Sequence, residues 1–251
     1  MILHCLVWES LKISKMANTW FRFKQFTIRQ DRSAFKVGTD GVLLGAWADT
    51  TGAQTVLDIG TGTGLLALML AQRSDAKITA IEIDRASYEQ ARENILESPW
   101  SGKITLIHSS LQEFVPGNKF DLIVSNPPFF QDSLPPGSES LSISKHNIML
   151  SLEDLAISTP GLMVENSRFC LILPLRESLE FEQLGQENGL FLHRIMEIKP
   201  SPTHTAKRRL MQFHVSPADR IVTDELCIEK DGRHDYTHEY RTFTREFYLR
   251  F

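Results

Sequence analysis

Hydrophobic and polar positions alternate along this chain in two different periods, and the period changes every ten to twenty residues. "FRFKQFTIRQ" switches between apolar and polar side chains at every step, which predicts a strand or hairpin arm. "DRSAFKVGTDGVLLGAWA" follows, and its second half predicts a capped helix starting near Asp40. From there short apolar runs and amphipathic stretches take turns. "TVLDIG", "KITAIEID", "ITLIHSS", "FDLIVSN" and "SRFCLILP" predict buried strands, while "LLALMLAQR", "ASYEQARENILES", "LSLEDLAIST" and "SLEFEQLGQEN" predict the helices between them. Strands that are apolar throughout need cover on both faces, so the alternation implies an α/β fold with a largely parallel sheet. "LFLHRIMEIKP" and "KRRLMQFHVS", joined by the turn-like "PSPTHT", predict a late antiparallel pair. No repeat, low-complexity tract or linker divides the pattern.

A chain of 251 residues with 42% hydrophobic content can bury a sizeable core. Cys5, Cys170 and Cys227 are far apart and in no metal-ligand spacing, which indicates neither a disulfide framework nor a metal site and suits a reducing cytoplasm. The opening apolar run lacks a basic lead-in and a cleavage site, and no segment predicts a membrane span. A net charge of −4 means that any nucleic-acid partner must be held by a local basic patch.

"LDIGTGTGLL" follows the first core strand and opens a helix, where Gly60, Gly62 and Gly64 let a ligand approach the helix amino end. The spacing is one residue short of the dinucleotide fingerprint, and Asp58 just ahead of it would repel a pyrophosphate but suit a cation. Glu82, closing "AIEID", is placed to accept hydrogen bonds from a ribose diol. An adenosyl ligand carrying an ammonium group and no phosphates, S-adenosylmethionine, satisfies all three features. A glycine-rich turn with a merely solvated Glu82 is the plain structural alternative.

"FDLIVSNPPFF" ends a buried strand on Asn126, Pro127, Pro128 and Phe129. The prolines can neither extend a ladder nor start inside a helix, and they hold Asn126 extended. At the carboxyl end of a sheet strand, such an acceptor-rich corner suits a planar, amine-bearing group. Prolines that simply terminate a strand are the other reading at this point.

Together "DIGTGTG" and "NPPFF" resemble the Rossmann-like class I methyltransferases that modify exocyclic amines. "FTIRQDRSAFKVGTDGVLLGAWA" and "YTHEYRTFTREFYLRF" are similar to the bacterial tRNA (adenine-N6)-methyltransferases acting just 3′ of the valine tRNA anticodon. The resemblance spans residues 21–251. It implies a seven-stranded, mostly parallel sheet with helices on both faces in a single domain, 21–251, preceded by an extension, 1–20. Met16 is then expected to be the natural start, or the preceding residues dispensable.

The family's chemistry implies that the Asn126 side-chain oxygen and the Pro127 carbonyl accept the two N6–H groups of an adenine while Phe129 stacks on the base. Asp58, Gly60, Gly62, Gly64 and Glu82 would hold the cofactor. Ser110 stands in "IHSSLQEF" where such enzymes often carry an aspartate to the cofactor adenine, and a hydroxyl is the weaker acceptor. The polar loop 131–147 is placed to gate substrate, with His146 expected to be an ordinary loop residue. RNA phosphates would be met by Arg29, Arg32 and Lys36 and by Lys207, Arg208 and Arg209, with Arg241, Arg245 and Arg250 as a further basic group. A monomeric cytoplasmic enzyme with tRNA as partner, no metal and no membrane follows from the resemblance. Guanine-N2 methylation of rRNA and protein glutamine methylation are alternatives, although glutamine methyltransferases usually carry Tyr where this chain has Phe129. A non-catalytic RNA-binding module with a retained pocket is the alternative from another class.

Overall fold

The computed structural model describes residues 18–33, 36–128 and 150–251, and the expectations for Phe129, the 131–147 loop, His146 and the start at Met16 lie outside them. Ten strands and six α-helices are described. The hairpin β1 (Trp20–Arg22) and β2 (Thr27–Arg29) precedes α1 (Thr39–Trp47), β3 (Thr55–Ile59), α2 (Leu65–Arg73), β4 (Lys77–Glu82), α3 (Arg85–Leu96), β5 (Ile104–His108) and β6 (Phe120–Ser125). Then come α4 (Leu152–Leu162), β7 (Met163–Pro174), α5 (Leu175–Glu187), β8 (Phe191–Lys199), β9 (Arg208–His214), β10 (Val222–Cys227) and α6 (His238–Thr244).

Eight strands form the main sheet in the order β10-β8-β9-β7-β6-β3-β4-β5. Only β9 runs antiparallel to its neighbours, which bears out the predicted late pair. The strand count differs from the expected seven: β10 adds an eighth, parallel to β8 at the sheet edge. Its sequence hides it because, of its six side chains, only Leu226 is buried. Edge position leaves the strand's polar side chains in water, where Asp224 pairs with Arg194 at 3.0 Å and Glu225 with Lys199 at 2.6 Å.

Period two sorts the strand residues between two cores. Val56, Ile78, Leu122, Val124 and Ile172 face one side with residues of α1, α2, α3 and α6. Leu57, Ile59, Ile81, Ile123 and Leu171 face the other, under Leu155 of α4 and Phe181 of α5. Full burial of both faces is the reason these strands carry almost no polar residue.

Two local details differ from expectation. Helix α1 begins after Gly38 without a side-chain cap, and Asp40 lies in its first turn. Ordered chain also reaches ahead of residue 21: the hairpin starts at Trp20, and Gln30 donates from its backbone to Thr19 and from its side chain to Asn18. Residues 29–33 then run along α3, where Asn94 and Gln90 bond the Arg29 and Arg32 backbones and Ser87 meets Ser33. That path brings the segment before α1 up toward the carboxyl ends of the parallel strands.

Candidate active site

Parallel strands β3, β4, β5 and β6 end side by side at Ile59, Glu82, His108 and Ser125, and the loops after them form the site. After β3 the chain must turn at once into α2. Gly60, Gly62 and Gly64 do so with φ of 70°, 58° and 84°, a region closed to most side chains. The turn is held by the next strand, because Gly60 and Thr61 both donate to the Ile81 carbonyl at 3.0 Å.

Asp58 stands behind this loop, fully buried. Its Oδ2 accepts from Thr61 Oγ1 at 2.5 Å and from Ala67 N in the first turn of α2 at 3.1 Å. It therefore braces the turn and faces the loop's own backbone. Burial away from water pushes its carboxyl up to about 7 in spite of those two bonds. Its second oxygen, Oδ1, has no partner among the described residues. Glu82 is also buried and also raised by desolvation, against the lowering effect of bonds from Asp84 N and Gly62 N, each 2.8 Å. Each Glu82 oxygen retains a lone pair beyond the backbone bond it accepts, which leaves capacity for a diol.

Beside the loop lies a cleft lined by Ile59, Gly60, Ile81, Ile83, Leu150 and residues 109–112. Among the described residues no Lys or Arg lines it, which suits a flat uncharged ring better than a phosphate. Ser110 sits here as the sequence predicts, but its hydroxyl already donates to Glu113 Oε2 and accepts from Glu113 N, both at 3.2 Å. Leu150 was not foreseen. It lies at the near end of the stretch leading into α4, and no local pattern signals that its methyl groups approach Gly60; a Cβ on that glycine would be 3.6 Å away.

One strand over, β6 delivers Ser125, Asn126, Pro127 and Pro128. Ser125 is fully buried and donates to the Ile59 carbonyl at 3.0 Å, tying the amine corner to the residue that starts the glycine loop. Pro127 is buried and Pro128 half-buried. Asn126 Oδ1 is buried with no hydrogen-bond partner among the described residues. It is one of seven such side-chain atoms, and it stands at a strand's carboxyl end, where a ligand's N–H can meet it.

The basic residues read from sequence divide differently. Arg29 pairs with Glu97 at 3.1 Å, Arg32 with Glu93 at 3.2 Å, Arg208 with Asp40 at 3.0 Å and Arg209 with Glu197 at 2.7 Å. Lys36 donates to the Gln30 carbonyl. Lys207 is exposed and has no carboxylate partner among the described residues. Lys207, Arg208 and Arg209 stand at the site's edge, since Arg208 is in register with Pro174 at the end of β7. Arg29 and Arg32 lie on the hairpin side against α3. Among the described residues no cluster of His, Cys, Asp and Glu is fit for a metal, and no helix is long and apolar enough to cross a membrane.

The methyltransferase small domain model matches residues 34–148. Over nearly its whole length the chain is similar to proteins named tRNA1(Val) (adenine(37)-N6)-methyltransferase. It is 44% identical to that of Bacteroides thetaiotaomicron over 236 residues, 93% of this chain and 99% of the relative. With that of Trichodesmium erythraeum it shares 42% identity over 241 residues, 94% and 100% of the two chains. Among solved structures, a predicted O-methyltransferase from Agrobacterium tumefaciens superposes with a TM-score of 0.63 at 20% identity, over 83% of this chain and 96% of that one. A ribosomal protein L11 methylase from Lactobacillus delbrueckii gives 0.50 at 21% identity, over 69% and 76%. At those identities the structural likeness establishes the fold, that of the class I methyltransferases.

Proposed function

Because the chain belongs to the tRNA1(Val) (adenine(37)-N6)-methyltransferase family, we propose that it methylates the exocyclic N6 of the adenine 3′ of a valine tRNA anticodon, using S-adenosylmethionine. The observation that carries the reading is the buried Oδ1 of Asn126, without a partner among the described residues and fastened through Ser125 to the glycine loop.

The chain's own groups fit the cofactor. Glu82 would take the ribose diol, the cleft of Ile59, Ile81, Ile83, Leu111 and Leu150 the adenine, and Gly60 to Gly64 would let the remainder lie against the backbone. Asp58 acts from behind, shaping the loop through Thr61 and Ala67. When bound, the cofactor supplies an electrophilic methyl group.

An aromatic amine is a poor nucleophile because its lone pair is delocalised into the ring. Asn126 Oδ1 and the Pro127 carbonyl would each accept one N6–H, drawing the nitrogen toward tetrahedral geometry and aiming its lone pair. Phe129 would hold the base by stacking, worth ~1–3 kcal/mol. No strong base is required, since the amine proton becomes acidic once nitrogen is alkylated. Positioning and electrostatics account for the rate.

Phosphate contacts start from Lys207, exposed at the site's edge. Arg29, Arg32, Lys36 and Arg209 would have to exchange or share their internal partners to join it. The reading makes the protein a monomer of the cytoplasm, where tRNA resides, with residues 1–15 outside the working domain. Deleting residues 1–15 should leave stability and turnover unchanged in parallel assays.

Nucleoside mass spectrometry of unmodified tRNA incubated with protein and methyl-labelled cofactor tests the central claim. N6-methyladenosine is expected. N2-methylguanosine would transfer the assignment to guanine chemistry, and tight cofactor binding with no transfer to any RNA would make the chain a binder.

A further inference from the structure

The Asp40–Arg208 ion pair lies at the site, yet the chemistry just described leaves it without a role. Arg208 Nε donates to Asp40 Oδ2 at 3.0 Å, and both side chains are about two-thirds or more buried. Asp40 belongs to the first turn of α1, and Arg208 opens β9 beside the end of β7. The contact therefore joins a helix from the start of the chain to a strand 168 residues later.

Its importance comes from the next residue. A Cβ on Gly41 would stand 2.9 Å from Leu65 Cδ2 and 3.6 Å from Asn126 Nδ2. The α1 backbone thus comes directly against two functional elements: the first residue of the helix that the glycine loop opens, and the amide of the amine corner. Close packing continues along the helix, for Gly45 fits against Met69 so tightly that a Cβ would meet its sulfur at 2.6 Å. The far end of α1 is tied down as well, since Arg73 Nη1 donates to the Gly45 and Ala48 carbonyls at 2.7 and 2.9 Å. Helix α1 is fastened at its carboxyl end by Arg73 and at its amino end by Arg208, and its amino end is the part that touches Asn126.

We propose that Asp40 and Arg208 are positioning residues: their ion pair presses Gly41 against the nitrogen side of the Asn126 carboxamide, which keeps Oδ1 turned toward the reacting amine. The inference rests on Asn126 being the amine acceptor. It changes the meaning of Arg208, which sequence had grouped with the phosphate contacts. A misaimed acceptor weakens the transition state more than the bound state, so the device acts on turnover.

The test uses the full chain with unmodified tRNA and measures single-turnover methyl transfer at saturating tRNA and cofactor, with separate affinities for each. Asp40→Asn and Arg208→Gln should each slow transfer about ten- to a hundredfold, as small misplacements of reacting groups do, while both affinities stay at wild-type values. Arg208→Lys, which keeps the charge, and the exchange Asp40→Arg with Arg208→Asp should restore most of the rate. If Arg208→Gln instead weakens tRNA binding and lowers its salt dependence while Asp40→Asn transfers at the wild-type rate, Arg208 is a phosphate ligand and the inference is overturned. Failure of both restoring variants overturns it too. Asn126→Ala separates the levels: wild-type transfer by that variant sinks the underlying reading, whereas a dead Asn126→Ala beside fully active Asp40→Asn and Arg208→Gln sinks this inference alone.

Discussion

Two corners of the same sheet edge, one after β3 and one after β6, are built on opposite terms. In the glycine corner nearly every polar group already has a partner within the chain: Gly60 and Thr61 bond Ile81, Gly62 and Asp84 bond Glu82, and Thr61 and Ala67 bond Asp58. In the Asn126 corner the prolines bring no donors and the buried Oδ1 accepts from none of the described residues. A corner that must hold a ligand in one pose gains from being shaped beforehand. A corner that must act on a changing nitrogen gains from an acceptor kept free until the amine arrives. The difference lies in where the open acceptor sits: in the glycine corner only Asp58 Oδ1 is left over among the described residues, behind a loop whose backbone is tied down, whereas in the other corner the open acceptor stands at the strand's carboxyl end itself.

The sharpest way to break that contrast is Asn126→Ala. Removing one preorganised group used in the transition state typically costs ~2.7–4 kcal/mol, so turnover should fall on the order of 10²–10³-fold with cofactor affinity, read by calorimetry, unaltered. An equal loss in affinity would show that the two corners do not divide the labour.

Glu82→Ala addresses the other side. It removes the acceptor for Gly62 and Asp84 as well as for the diol, and hydrogen bonds to charged groups are worth ~1.5–3 kcal/mol each. Cofactor affinity should drop accordingly, while transfer at saturating cofactor stays close to wild type. A variant that bound cofactor normally but transferred slowly would reverse the roles.

Asp58 sharpens the comparison through pH. Its carboxyl is raised to about 7 by burial, whereas an unfolded aspartate titrates near ~3.9. Between those values the folded state holds a proton that the unfolded chain has released, so this group makes stability fall as pH rises from about 4 to about 7 and adds no further change above. Urea unfolding across that range should show a downward slope that Asp58→Asn removes. An unchanged slope would place the carboxyl at its ordinary value and weaken its role as a buried brace.

Ser110→Ala should have the smallest effect. The hydroxyl is bonded to Glu113 within its own turn, so its loss should cost only ~0.5–1.5 kcal/mol, divided between turn stability and cofactor affinity. A cofactor affinity loss as large as that of Glu82→Ala would make Ser110 a principal adenine contact.

Much of this is legible in the sequence. Strand and helix periodicity located β3 to β9 and the helices among them, because residues covered on both faces of a sheet have no alternative to being apolar. Gly60, Gly62 and Gly64 announced a turn of positive φ, and Pro127 and Pro128 announced where β6 must stop. Those are local demands of backbone and burial, and the sequence by itself determined them. Strand β10 escaped because an edge strand facing water needs no apolar alternation. The Asp40–Arg208 pair, the approach of Gly41 to Asn126, the seat of Leu150 on Gly60 and the internal pairing of Arg29, Arg32 and Arg209 were decided only by the tertiary structure. Each joins residues far apart in the chain, and a charge or a glycine carries no mark in sequence of the partner that folding will bring to it.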